Sequence, residues 1–322
     1  DDGFVENSVT GNPIQDFREY GVRGQLLLEP TPELRSLTTI RYRDYKGGTN
    51  TYTRQSDPSD VAYINTSSFD SEATRETIAI VENLTYDFGG AELTSITSYT
   101  HQDQTWFIDA DYNPPNIVVA RFDDARPAKI FTQELRLASQ GTSNWDWLFG
   151  IYGSRIDNHV PVPTPVILDV GPITIDPRAD VKTRQDDIAA FGTVNFYINN
   201  FTLGGGLRVG QTDYGSKIFV ASGIPKIPTL ELDQKDTVVL PKVSLSYKLT
   251  DDNLVYATVS RGSEPGKVSL YVANPATYDP EYSLQYELGA KGLLAGGQLR
   301  YELAAYLVDY TDRQYENRIF VD

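Results

Sequence analysis

The chain has 322 residues, with 44 acidic against 28 basic side chains and a net charge of −16. This negative charge argues against nucleic acid as a partner, because phosphate binding requires a basic surface. The sequence contains no Cys, which excludes disulfides, thiolate metal sites and cysteine nucleophiles. It has no run of 18 or more apolar residues, the length typical of a helical membrane span, but half-polar strands of a β-barrel escape that criterion.

Strand-like segments follow one another along the whole chain, without a linker or a shift in composition. Short turns and long connections alternate between them, and the long connections are 47–74, 106–128, 158–182, 215–236 and 263–281. The predicted strands are 20–28, 34–46, 75–87, 91–105, 129–139, 145–157, 183–198, 201–214, 237–249, 254–262, 282–294 and 297–311. Outer-membrane barrels have short periplasmic turns and longer extracellular loops, so this alternation favours an up-and-down barrel.

The strands show a period of two, which gives each strand one apolar and one polar face. In 299–307, for example, Leu299, Leu303 and Leu307 lie opposite Arg300 and Glu302. A soluble antiparallel sheet with one solvated side has the same pattern. The predicted strands are longer than globular ones and reach the 9–11 residues that cross a bilayer. Aromatic residues also gather near the strand ends, as in the interfacial girdles of barrels.

Several motifs occur in the order in which one family carries them. The segment Phe131-Thr132-Gln133-Glu134-Leu135-Arg136-Leu137-Ala138-Ser139 is followed by the aromatic strand that begins at Trp145. Further on, Tyr278-Asp279-Pro280-Glu281 precedes Tyr286-Glu287-Leu288-Gly289-Ala290-Lys291-Gly292. Together these segments resemble the barrel strands of TonB-dependent outer-membrane receptors.

The resemblance implies an all-β fold, an antiparallel up-and-down transmembrane β-barrel with about 12 strands of a probable 22-stranded barrel. We therefore expect residues 1–322 to form a single, partial barrel domain, without counterparts of the plug or the TonB-contacting segment. The implied place is the bacterial outer membrane, with lipid and lipopolysaccharide as neighbours. The implied function is uptake of a scarce ligand, such as a siderophore, vitamin or glycan, by way of the TonB complex.

Catalytic and metal-binding chemistry has little support in the sequence. Only His101 and His159 are present, so no histidine cluster can bind a metal, and no nucleophile-elbow motif occurs. We predict no enzymatic activity, no metal site and no cofactor. Two other functions are compatible with the pattern: a passive porin-like channel or structural barrel, and, as a less favoured alternative, a soluble carbohydrate-binding β-sandwich.

Candidate site residues fall into two groups. Side chains in the long connections are predicted to bind the ligand, because loops carry variable function on a fixed scaffold; these are Trp106, Phe107, Tyr112, His159 and Tyr271. Charged residues on the polar strand face are predicted to face the lumen; these are Glu134, Arg136, Glu287, Lys291, Arg300 and Glu302. Charges of mixed sign at alternate positions favour cross-strand pairing over a substrate path.

Overall fold

The computed structural model of the chain describes residues 5–48, 64–109, 119–122, 127–141, 144–162, 178–221, 229–268 and 277–314. The strands are β1 Val5–Asn7, β2 Pro13–Ile14, β3 Phe17–Leu28, β4 Leu34–Gly48, β5 Ile64–Asn65, β6 Glu72–Asp87, β7 Ala91–Asp109, β8 Val119–Phe122, β9 Ala128–Ser139, β10 Trp145–Val162, β11 Arg178–Ile198, β12 Phe201–Ala221, β13 Leu230–Thr250, β14 Asn253–Glu264, β15 Lys267–Val268, β16 Thr277–Tyr278, β17 Glu281–Leu294 and β18 Leu299–Thr311. Ala295–Gly297 form one 3-10 turn.

One large sheet dominates the fold. Its strands run in the order β18-β17-β14-β13-β12-β11-β10-β9-β7-β6-β4-β3, and β8 pairs with the end of β7. Every pair in this sheet is antiparallel, so the chain forms an up-and-down meander. Two small sheets, β2-β1-β5 and β15-β16, complete the fold. The prediction of an all-β, antiparallel up-and-down architecture is confirmed.

The predicted strand limits agree with the structure at the short turns but not at the long connections. We refer to these two edges of the sheet as the turn end and the loop end. At the loop end β12 continues to Ala221, and β13 begins at Leu230. β10 and β11 likewise extend to Val162 and back to Arg178. These extensions carry charged side chains on the side that is apolar nearer the turns, and their buried apolar side chains, such as Val181 and Ile218, lie on the opposite side. The alternation is therefore reversed there and does not continue the pattern from which the strands were predicted.

The register sorts side chains onto two faces of the sheet. Leu203, Leu245, Ala257, Leu288 and Ala305 are successive cross-strand partners on one side, the apolar face. The other side, the polar face, carries among others the cross-strand partners Ser244, Thr258, Glu287 and Tyr306. Side chains in the middle of the apolar face are exposed, as shown by the 66% exposure of Leu288. A soluble sheet would cover such a surface, whereas lipid accepts it.

Aromatic side chains line the turn end of the apolar face. Trp145 stacks on Phe196 with 6.2 Å between ring centroids, and Phe201 lies 4.6 Å from Tyr247 by the same measure. Aromatic rings of this kind occupy the membrane–water interface of barrels. Among the described residues, none forms a helix of the length and apolar character needed to cross a membrane.

Candidate functional site

Charged side chains on the polar face occur in pairs of opposite sign. Glu134 and Arg136 of β9 form an ion pair, and the carboxylate is the better covered of the two, with 18% exposure against 44% for the guanidinium. Their cross-strand partners in β7 are Ile96 and Thr94. Both residues lie on β9, two positions apart, so the pair runs along one strand instead of across to β7 as predicted, and it gives the wall no excess charge.

The same arrangement recurs near the other edge of the sheet. Tyr256 of β14 donates its hydroxyl hydrogen to Glu287 Oε1 at 2.6 Å, and Gln285 Nε2 donates to Glu287 Oε2 at 3.0 Å. Glu302 of β18 forms an ion pair with Arg300 and lies directly opposite Lys291 of β17. Carboxylates on this face are therefore held by donors from the wall itself.

An uncharged set of donors surrounds another carboxylate of the polar face. Asp187 of β11 accepts hydrogen bonds from Ser154 Oγ at 2.9 Å, Gln185 Nε2 at 3.0 Å and Thr212 Oγ1 at 2.6 Å. These donors come from β10, β11 and β12, so one side chain ties three strands together. Among the described residues, no group of His, Cys, Asp or Glu has the arrangement of a metal site.

The structure describes three of the predicted ligand-binding residues, Trp106, Phe107 and His159, and all three belong to strands. Trp106 and Phe107 belong to β7 and point to opposite faces, with Trp106 on the polar face. The ring of Phe107 stacks on Phe69, with 4.2 Å between centroids. Tyr112 and Tyr271 lie outside the described residues. The placement of Trp106 and Phe107 in a long connection is therefore wrong, because β7 continues to Asp109.

His159 also departs from its predicted position. It belongs to β10 and shares the apolar side of the sheet with its cross-strand partner Lys182. The Nε2 atom of its imidazole contacts the carboxylate of Asp180 in β11. The prediction that His159 opens a loop is wrong, because β10 and β11 stay paired up to Val162 and Ala179. On that side the imidazole points away from the polar face.

A small hairpin, which the sequence did not predict, covers the polar face at the loop end. Lys267 and Val268 of β15 pair with Tyr278 and Thr277 of β16, and the hairpin contacts β12 and β13. Val268 is 5% exposed. Val181, Ser216, Ile218 and Asp236, side chains of the wall at the same end, are also buried. The hairpin is thus folded onto the inside of the sheet.

Asp236 fastens the hairpin to the wall. Its Oδ2 atom accepts the backbone N–H of Gly266 at 2.7 Å, and Oδ1 accepts Gln234 Nε2 at 2.8 Å. A Cβ on Gly266 would lie 2.4 Å from the carbonyl oxygen of Tyr278 and 2.8 Å from Asp236 Oδ2. Only glycine allows this close approach. Gly266 and Asp236 have no sequence signal that links them, because 30 residues separate them.

Two further groups hold this region. Gln314 Nε2 donates to the carbonyl oxygens of Pro265 at 3.1 Å and Asp279 at 2.9 Å, on either side of the hairpin. Lys267 Nζ donates to Glu264 Oε1 at 2.5 Å, and this hydrogen bond raises the pKa of Lys267. Burial raises the pKa of the Tyr214 phenol on the adjoining wall, so its hydroxyl stays neutral at physiological pH.

Asp70 organises a second feature at the loop end, also absent from the sequence-based predictions. It accepts hydrogen bonds from Asn7 Nδ2 at 2.9 Å, Thr10 Oγ1 at 2.7 Å and Asn12 Nδ2 at 2.6 Å. The segment before β3 is thereby bound to the connection between β4 and β6. Asn7 and Asn65 are 0% and 1% exposed. The contacts span about 60 residues, which local sequence patterns do not register.

Asp236→Ala tests the attachment of the hairpin. It would leave the buried N–H of Gly266 without its acceptor, which costs roughly 1–3 kcal/mol. We expect faster hydrogen exchange at Gly266 and faster proteolysis within 263–281. Asp233→Ala, on the exposed opposite side of the same strand, is the matched control. Equal exchange in both variants would show that Asp236 does not hold the hairpin.

The comparisons with known proteins agree with this architecture. The family model described as TonB dependent receptor-like, beta-barrel matches residues 7–321. The pesticin receptor of Yersinia pestis is 27% identical over 169 residues, which are 49% of this chain and 24% of that protein. The ferric yersiniabactin uptake receptor FyuA from Yersinia pestis superimposes with a TM-score of 0.80 at 20% identity, over 98% of this chain and 49% of that one.

The ferric-catecholate import receptor Fiu from E. coli K12, in its closed form, gives a TM-score of 0.67 at 16% identity, over 91% of this chain and 51% of that one. The chain thus spans about half the length of these solved structures. The family consists of receptors and transporters in the outer membrane of Gram-negative bacteria rather than of enzymes. The chain belongs to the TonB-dependent receptor family, in the β-barrel part of that fold.

Proposed function

We propose that the intact protein takes up an iron-loaded siderophore across the outer membrane, driven by the TonB complex. The observation that carries the proposal is the likeness of nearly the whole chain to receptors named for ferric yersiniabactin and ferric catecholates. The loop end would face the outside, as longer loops do in outer-membrane barrels. The polar face would line the lumen, and its self-paired charges would form a wall against which a plug can move.

Uptake of ferric siderophores tests this function. A strain that lacks the gene should lose uptake of one ferric siderophore from a labelled panel, and the intact gene should restore it. Deletion of tonB should abolish the restored uptake. Uptake that continues without TonB would instead favour the passive porin-like channel. A protein that is monomeric and soluble without detergent would exclude both membrane functions.

Trp106 is the predicted ligand-binding residue that is best placed for contact with a ligand in the lumen. It lies near the loop end of β7, on the polar face, whereas Phe107 is on the other side. Because an aromatic contact contributes about 0.5–1.5 kcal/mol, Trp106→Ala should weaken binding of the ferric ligand by up to about tenfold. Phe107→Ala is the neighbouring control. Binding that is weakened equally in both would indicate a general effect on the strand end.

We also propose that lipopolysaccharide contacts the charged rows on the apolar side of the loop end. Arg155 Nε lies 2.6 Å from Asp186 Oδ1, and Lys217 Nζ lies 2.9 Å from Glu231 Oε1. These rows lie on the loop side of the exposed apolar residues Ile151, Ile188 and Val209, at the height expected for headgroups. Basic groups can bind headgroup phosphates, and the carboxylates can share divalent cations with them.

Charge reversal tests the contact with lipopolysaccharide. Lys217→Glu on the apolar side should lower the amount of lipopolysaccharide that co-purifies with the protein, because it replaces a phosphate-binding cation by an anion. Lys242→Glu makes the same change in net charge on the polar face. Mass spectrometry of the purified proteins measures the lipid. An equal amount in both variants would exclude these rows as the contact.

A further inference from the structure

One part of the apolar face is polar at the depth where lipid chains are expected. Thr38, Glu82, Thr97 and Gln133 are successive cross-strand partners in β4, β6, β7 and β9. Partners in an antiparallel sheet share a face, so all four point to the same side. With Ser36 and Ser95 they form what we call the polar patch.

The residues next to the polar patch show which face it occupies. The adjoining row towards the loop end is Ile40, Ile80, Tyr99 and Phe131, again cross-strand partners. These side chains are 52%, 42%, 41% and 46% exposed. Towards the turn end, Leu84 is the cross-strand partner of both Ser36 and Ser95, and Leu135 is the other partner of Ser95. The patch is thus enclosed by the apolar surface.

The depth of Glu82 follows from the strand geometry. It precedes Asp87, the last residue of β6, by five positions. With a rise of about 3.4 Å per residue and a tilt of about 40°, it lies roughly 13 Å above the turn. The apolar band of outer-membrane barrels is about 25 Å tall. The carboxylate is therefore near the centre of the bilayer.

Hydrogen bonds within the polar patch use only part of the hydrogen-bonding capacity of the Glu82 carboxylate. Ser36 Oγ donates to Glu82 Oε1 and Thr38 Oγ1 donates to Oε2, each at 2.5 Å. Two hydroxyl donors leave about half of the acceptor sites of a carboxylate unused. Its neighbours on this face, Thr38, Thr97, Ile80 and Leu84, are not basic. These neighbours consequently supply no cation to the Glu82 side chain.

The second half of the patch is also linked by hydrogen bonds, including one from Gln133 Nε2 to the carbonyl oxygen of Glu134 at 3.3 Å. Thr97 Oγ1 donates to Gln133 Oε1 at 2.5 Å, and Gln133 Nε2 donates to Ser95 Oγ at 3.0 Å. These bonds orient the side chains without removing their polarity. Elsewhere the middle of this face follows the apolar row from Leu203 to Ala305. The polar patch is therefore confined to one sector, β4 to β9.

We propose that the polar patch is a docking site for a second protein embedded in the outer membrane, through a lipid-facing basic or amide side chain of that partner at mid-bilayer depth. Polar groups in lipid are costly, and a donor that binds Glu82 offsets this cost where water cannot. The complementarity is specific: an acceptor-rich surface without a basic side chain requires a partner that presents hydrogen-bond donors.

Two other occupants fit the acceptor-rich surface less well. A second copy of this chain, related by a twofold axis along the membrane normal, would bring two Glu82 side chains together at the same depth and would add no basic side chain there. Lipopolysaccharide carries its phosphates at the membrane surface, and phosphate is itself anionic. Both are outcomes that the experiment can detect.

Site-specific photocrosslinking in cells that express the intact gene tests the proposal. A photoreactive residue replaces Thr97 in the patch or, as the matched control, Ala257 in the apolar row. We expect a discrete protein adduct from position 97 only. Mass spectrometry should place the crosslink on a lipid-facing segment of another outer-membrane protein, next to a Lys, Arg, Asn or Gln.

Substitution of Glu82 tests whether its side chain is required for the contact that the probe detects. Glu82→Leu should reduce the adduct at least fivefold, and replacement of the partner's donor by Leu should do the same. Leu on a lipid-facing position does not hinder folding, which heat-modifiable gel migration verifies. The proposal is overturned by lipid adducts alone, by a crosslink to a second copy, by a partner without a donor at that place, or by an adduct that persists in Glu82→Leu.

Discussion

Pairing of backbone groups is the constraint on which the rest of this structure depends. In lipid, a strand has no water to satisfy its N–H and C=O groups, so each strand requires neighbours on both sides. The large sheet meets this demand with an antiparallel register that runs without interruption through most of its strands. The register shift in β13, between Lys248 and Thr250, lies at a turn, outside the span that lipid surrounds.

The continuous register has a chemical consequence. Because successive side chains alternate between the two sides of a strand, the position of a residue in the strand decides whether its side chain faces lipid or lies on the polar face. Glu287 is held by Tyr256 and Gln285, while its strand neighbour Leu288 is open on the other side. The same strand thus presents polar side chains on one side and lipid-compatible side chains on the other. Beyond the bilayer this requirement ends, and β10 to β13 continue as charged ladders.

Two local features depart from this alternation between a polar and a lipid-facing side. The β15–β16 hairpin adds a second layer on the polar face at the loop end, where Asp236 replaces the missing sheet neighbour of Gly266 as hydrogen-bond acceptor. The polar patch around Glu82 places hydrogen-bond acceptors on the apolar face, at a depth where the other strands carry apolar side chains. The first feature covers the polar face at the loop end, and the second is the site for which we propose a contact within the membrane.

The sequence by itself determined the class of fold, the short turns and the assignment of Leu288 and Glu287 to opposite faces. A period of two is a local property, and a short turn has a local composition. It also carried the motifs of the family, such as Phe131 to Ser139. The strand ends beyond the bilayer escaped prediction, because their outer side is charged and their apolar side chains, such as Val181 and Ile218, lie on the opposite side. Trp106, Phe107 and His159 were therefore placed in loops.

Only the tertiary structure decided which distant residues meet. Asp236 and Gly266, or Asp70 and Asn7, are joined by folding of connections over the sheet, and no local pattern encodes such contacts. The same holds for the polar patch. Each of its residues is ordinary in its own strand, and Glu82 interrupts a single apolar alternation. The register of four strands brings these residues into one row, because the hydrogen bonds of the sheet leave each strand only one alignment with its neighbour.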